Sequence, residues 1–225
     1  MMLNFDEIHQ RAQERKGGRA ALKRLLPEVK SSRQLMRTPD HRWLSEMAHC
    51  VFQAGFVWRV VDNKWEAFEE LFFGFPPEKI VMLSPDQIDN FARNPAIIRN
   101  RQKVISIQRN AHFVLDIAKE HGSFGKFITR WPGEDLIGLF AVLKTRGDRL
   151  GGMSGQRVLR NMGKDTFVLT DHVAHCMRRA GLSINENPTS KRDLSRVQET
   201  FNEWHQTTGL PYSHLSLICA MSMPE

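Results

Sequence analysis

Cysteine is scarce in this chain of 225 residues: there are three, Cys50, Cys176 and Cys219. An odd count at wide spacings excludes a disulfide framework, and a reducing cytoplasm is the expected compartment. Tyrosine is scarcer still, with Tyr212 alone. No apolar run approaches the roughly 18 residues that span a bilayer, so no membrane role is expected. Residues 1–30 are charged throughout and lack the apolar core of a signal peptide. Strand-like alternation is nearly absent, and only Phe167-Val168-Leu169 is short and β-rich. Internal repeats and low-complexity tracts are missing, as are a Walker loop, a Rossmann fingerprint and a serine-hydrolase elbow. His49 and Cys50 are sequence neighbours on a predicted helix and point apart, which excludes a simple Cys–His nucleophilic pair.

What the chain does have is positive charge and helical periodicity. The net charge is +7, with 41% hydrophobic and 25% charged residues. That balance fits a globular protein whose partner is a polyanion or simply water. Two short outer helices are predicted between Phe5 and Leu26, split by Gly17-Gly18, with a polar joint at 30–33. From Arg42 to Val61, Trp43, Met47, Cys50, Val51, Ala54 and Trp58 recur at three- and four-residue steps and mark one buried helical face. Trp65 to Phe73 continues as a helix. Ser84-Pro85-Asp86-Gln87 is a capping box with proline at the first helical position. A long helix to about Glu120 carries an apolar stripe and, on its other face, Arg101, Lys103 and Arg109. Helices are also predicted over 134–144, 190–207 and 211–222. The expected fold is all-α, with two helical lobes around a cleft.

Between Leu150 and Arg157 glycines crowd a turn joining two helices. Such a hairpin exposes backbone N–H groups beside a positive helix end, an arrangement that suits phosphate. Gly152, Ser154, Gly155, Gln156, Arg149 and Arg157 are the candidate DNA-backbone contacts, and a plain glycine-rich connector is the competing reading. Downstream, Phe167-Val168-Leu169 leads to Thr170-Asp171-His172 at the start of a helix. This order resembles the helix-hairpin-helix superfamily of DNA glycosylases. Asp171 then becomes the candidate catalytic carboxylate, which would stabilise positive charge on the sugar. The alternative for Asp171 is a helix N-cap.

A second set of residues narrows the resemblance. Gln53-Ala54-Gly55-Phe56-Val57-Trp58, the run Ala96 to Val104 followed by Asn110-Ala111, and Asp171-His172-Val173 with Cys176 resemble motifs of the 3-methyladenine DNA glycosylase I family. Asp40-His41-Arg42-Trp43 is a weaker echo. The resemblance covers roughly Asp40 to Cys176. It implies a monofunctional glycosylase of base-excision repair that flips a damaged, alkylated base out of double-stranded DNA. Trp58 would stack on that base, with Cys50 and Trp43 beside it, and Gly55-Phe56 would wedge into the duplex. Lyase activity is not implied, because Gln156 stands where bifunctional relatives carry a lysine.

The departures are specific. Cys50 stands where the family places its purine-reading glutamate; Glu46, one helical turn earlier, is the nearest carboxylate on that face. No tyrosine precedes Asp40. His172 and Cys176 match half of the family's zinc set, but residues 1–39 hold only His9, so no metal or other cofactor is expected. The expected organisation is an N-terminal helical extension, 1–39, and a glycosylase-like domain, 40–225, holding the hairpin region 144–176 and C-terminal helices 190–222 that pack with the N-terminal region. A monomer is expected. A non-catalytic DNA-binding protein on the same scaffold is the second reading, and a basic helical adaptor the third.

Overall fold

In the computed structural model, which describes residues 4–224, the chain is all-helical and no strand occurs among the described residues. The helices are α1 (Phe5–Lys16), α2 (Arg19–Leu25), α3 (Ser32–Arg37), α4 (Asp40–Gln53), α5 (Trp58–Asp62), α6 (Trp65–Leu71), α7 (Pro77–Ile80), α8 (Pro85–Arg93), α9 (Arg101–His121), α10 (Phe124–Arg130), α11 (Leu136–Arg146), α12 (Met153–Asn161), α13 (Asp171–Arg179), α14 (Lys191–Thr208) and α15 (Tyr212–Met221). Among the described residues no helix is long and apolar enough to cross a membrane. The chain divides into two compact units. One comprises 1–30, 132–139 and 163–225, and the other 31–131 and 140–162.

The second unit is built around α9. Its stripe Val104, Ile107, Ala111, Val114 and Ile117 is fully buried, and α4, α7, α8 and α10 pack along it. Beside α4, Phe52, Phe68, Phe72 and Phe75 are fully enclosed, with ring centroids 4.6 Å apart for Phe52 and Phe68 and 5.4 Å for Phe72 and Phe75. Each such ring contributes about 2–3 kcal/mol by leaving water. The sequence-derived helix from Arg42 to Val61 breaks in two. Gly55 adopts φ +75, a left-handed conformation that ends α4 at Gln53 and turns the chain into α5. Trp58 therefore leaves the buried face that the periodicity assigned to it and is 47% exposed. The polar joint expected at 30–33 instead opens a helix, because Ser31 and Gln34 form a capping box at the start of α3. The box expected at Ser84 and Gln87 is present at α8. Asp40, at the first turn of α4, accepts the Phe124 N–H at 2.9 Å and so steadies the start of α10. Burial holds its carboxyl above the usual range, partly offset by that bond.

The first unit gathers α1, α2, α13, α14 and α15. The N-terminal stretch is not merely peripheral to it: Phe5, Ile8 and Ala12 are buried, and Phe5 meets Trp204 at 5.1 Å. The extended stretch before α13 places Phe167 flat on Phe201, 4.4 Å between centroids. Asp165 accepts from both the backbone N–H and the hydroxyl of Ser213, at 3.0 and 3.1 Å, and so caps the start of α15 from a distance. The α13 helix packs on α15 with Cys176 buried 3.5 Å from the Ser222 hydroxyl.

Candidate functional site

In the second unit α4 carries a polar cluster of Glu46, His49, Cys50 and Gln53. Glu46 Oε1 accepts from Asn161 Nδ2 at 2.8 Å and from the Cys50 thiol at 3.2 Å. His49 Nδ1 lies 4.0 Å from the same oxygen, while its Nε2 meets Asp62 Oδ1 at 2.8 Å. Gln53 donates to Asp62 at 3.0 Å. Burial acts to lower the His49 pKa, but the Glu46 and Asp62 carboxylates outweigh it and raise the value. Cys50 is buried, and desolvation followed by the Glu46 charge pushes its thiol far up. It is a neutral donor to Glu46 and not a nucleophile.

The hairpin's second helix reaches this cluster. Asn161 holds Glu46, and one turn earlier the Arg157 guanidinium stands 4.5 Å over the Trp58 ring. Arg157, expected at the DNA backbone, is thus placed on the expected stacking wall. Trp43, expected in the same pocket, is fully enclosed against Phe124 at 5.4 Å, and among the described residues its indole N–H has no partner.

The turn after α4 and the start of α5 expose large apolar side chains: Phe56 is 41% exposed, Val57 67%, Trp58 47% and Val60 45%. Its support is Lys103. The sequence placed that lysine on the open basic face of α9, but only 7% of it is exposed. Its ammonium donates to the Phe52 and Ala54 carbonyls at 3.1 and 2.6 Å and lies 4.5 Å over the Phe56 ring. Burial, with Arg149 nearby, lowers its pKa. The other two cations expected on that face are paired: Arg101 with Asp89 at 2.7 Å and Arg109 with Asp148 at 3.1 Å. Lys103 is legible in retrospect, since it precedes Ile107 by one turn and so shares the apolar stripe.

The hairpin turn between α11 and α12 is held from α9. Asn110, 1% exposed, donates to the Asp148 carbonyl at 3.0 Å and accepts its N–H at 2.8 Å. An asparagine inside an apolar stripe is the signal that points to it. Arg149 sits at φ +62 and is exposed, and Gly152 (φ +58) precedes the first turn of α12. Gly155 packs so closely that a Cβ there would lie 2.4 Å from the Leu150 carbonyl oxygen. Ser154 is partly exposed in the first turn, whereas Gln156 is buried, its side chain turned into the unit.

In the first unit, Thr170 caps α13 by accepting the Val173 N–H, at 3.3 Å. The cap reading of Asp171 is thereby removed. Asp171 is the first helical residue, exposed, and lines an open depression of about 300 Å³ with His175, Arg178, Glu186 and Asn187. The adjacent His172 is exposed rather than tucked into the core, while Cys176 is buried against Ser222. That split does not suit a shared metal, and among the described residues no group of three or more histidine, cysteine or acidic side chains could hold one.

Residues 36–139 match the methyladenine glycosylase family. The DNA-3-methyladenine glycosylase of Haemophilus influenzae is 37% identical over 76 residues, which are 34% of this chain and 41% of that protein. The match thus spans about two fifths of that relative's length. Among solved structures, 3-methyladenine DNA glycosylase I in complex with 3-methyladenine superposes with a TM-score of 0.50 at 24% identity, covering 64% of this chain and 84% of that one. The 8-oxoguanine DNA glycosylase of Thermotoga maritima reaches a TM-score of 0.56 at 16% identity, covering 96% of this chain and 95% of the other. The chain therefore has the helix-hairpin-helix DNA glycosylase fold, and its residues 36–139 are similar to the methyladenine glycosylases.

Proposed function

We propose that the protein is a monofunctional DNA glycosylase that flips a damaged base out of double-stranded DNA and hydrolyses its N-glycosidic bond. The observation that carries this reading is a half-exposed Trp58 tied through α12 to a carboxylate: Arg157 stands over the ring, and Asn161, one turn on, holds Glu46. An aromatic face beside a hydrogen-bonding carboxylate is what an extruded base needs. The exposed Phe56 would fill the gap in the duplex, and the hairpin, held by Asn110, would bind phosphates without reading sequence.

Bond cleavage leaves positive charge on the sugar. Asp171 would stabilise that charge and orient a water, whose hydroxyl joins the anomeric carbon while a proton leaves with the base. With Gln156 buried and no lysine at its position, a covalent lyase step has no nucleophile there. The second reading, a DNA-binding protein without turnover, is favoured by Cys50 standing where the family's glutamate would be.

The test is base release from duplex DNA carrying methylated or oxidised bases, with Asp171→Asn and Glu46→Gln beside the wild type. The expected result is release of an altered base by the wild type, loss in Asp171→Asn with DNA affinity retained, and impaired base selection in Glu46→Gln. Salt-sensitive DNA binding with no base released from any damaged duplex would support the second reading.

A further inference from the structure

The side chain standing on Trp58 is itself a planar cation. With its guanidinium 4.5 Å from the ring centroid, Arg157 takes up the π-electron density by which an indole attracts a positively charged partner. We propose that Arg157 sets the specificity of the base site, disfavouring a cationic alkylated purine and favouring a neutral base that carries a carbonyl oxygen beside a ring N–H. This rests on the base site proposed above.

Two placements of the base are open, and both lead to the same discrimination. On the far face of Trp58, a stacked base would lie about 8 Å from the guanidinium, close enough for two like charges to repel in a partly desolvated site. On the near face, Arg157 must slide off the ring to the edge of the incoming base. There it offers only N–H donors, which match carbonyl oxygens and oppose ring positive charge. One oxygen of the carboxylate that would otherwise attract a cation is already engaged. Glu46 Oε1 takes the Asn161 amide at 2.8 Å and the Cys50 thiol at 3.2 Å, with His49 at 4.0 Å. What the site offers is one acceptor, Glu46, next to two donors, Arg157 and Asn161. That pattern complements a ring N–H flanked by a carbonyl, and the Arg157 charge opposes that of Glu46. Asn161 and Arg157 share one face of α12, so the donors move with the hairpin rather than with α4.

The test pairs two lesions with the same carbonyl and ring N–H and different charge. Duplexes carrying a single 7-methylguanine (cationic) or a single 8-oxoguanine (neutral) are compared by single-turnover excision and by equilibrium binding. The wild type is set against Arg157→Leu and Arg157→Lys. The wild type is expected to favour the neutral lesion. Arg157→Leu should shift the ratio toward the cation by roughly tenfold, and Arg157→Lys, which keeps the charge, should shift it far less. A wild-type preference for 7-methylguanine, or a ratio unmoved by Arg157→Leu, overturns the proposal. So does an equal loss of affinity for all duplexes, undamaged DNA included, because that marks a phosphate contact. If no duplex is cut, the glycosylase reading falls, and the binding ratio still decides whether Arg157 discriminates by charge.

Discussion

Replacing Lys103 by methionine tests whether the apolar turn after α4 is held from below. The ammonium donates to two carbonyls, at 3.1 Å to Phe52 and 2.6 Å to Ala54, and is 7% exposed. Hydrogen bonds to a charged group are worth about 1.5–3 kcal/mol each, so the pair gives about 3–6 kcal/mol gross. The negative end of α4 adds about 0.5 kcal/mol. Methionine keeps the stem's packing and removes the cost of burying the charge, which returns a few kcal/mol. The net loss is then about 2 kcal/mol, or roughly a 4–8 °C fall in Tm for a chain of this size. Phe56 also loses the cation 4.5 Å above its ring, so the turn should loosen more than the core. Urea denaturation measures the first effect, and affinity for a duplex with one abasic site measures the second. Stability within about 0.5 kcal/mol of wild type, with abasic-site affinity unchanged, would refute the claim that Lys103 pins this turn.

Two further substitutions probe the hairpin and the cluster on α4. Gly155→Ala places a methyl 2.4 Å from the Leu150 carbonyl oxygen, a backbone atom that cannot step aside, so α12 must shift. A loss of about 1–3 kcal/mol in urea titrations and a matching drop in DNA affinity in gel-shift assays are expected. For His49 the sign follows from its raised pKa. The folded state binds the proton more tightly than the unfolded chain, whose value is near 6.5. The resulting stabilisation is fully present below that value and is lost as pH rises through the folded-state pKa. His49→Gln should therefore cost more stability at about pH 5.5 than at about pH 9, and an equal cost at both would contradict the pairing with Glu46 and Asp62.

Much of the fold was legible because its signals are local. The caps at Ser84 and Ser190, the apolar stripe of α9 and the glycines flanking α12 each act within a few residues. The errors have equally local causes. Periodicity alone carried a helix from Arg42 through Trp58, because Trp58 falls on the same 3.6-residue face as Cys50 and Val51. A single left-handed residue, Gly55 at φ +75, overrides that pattern, and the signal was present in the sequence as Ala54-Gly55. Likewise polarity makes residues 30–33 look like a joint, although Ser31 and Gln34 spell a capping box as plainly as Ser84 and Gln87 do.

The site was less legible, because its parts are joined across the chain. Glu46 could be nominated from helical spacing, but nothing local says that Asn161, 115 residues away, would hold it. In the sequence Arg157 is one more cation in a basic hairpin, since composition cannot separate an arginine facing phosphate from one lying on an indole. Lys103 misled for the opposite reason. A lysine near the start of a helix is usually solvated, and only its register with Ile107 hints that it turns inward. In each case the sequence names the charged group and the tertiary partner decides its work. The carboxylate at Glu46 makes the point most sharply. A carboxylate alone beside an aromatic wall favours a cation, whereas the proposal above is that the same carboxylate, with a guanidinium standing on the wall, does not. Similarity to the methyladenine glycosylases therefore speaks for the scaffold and not for the choice of base.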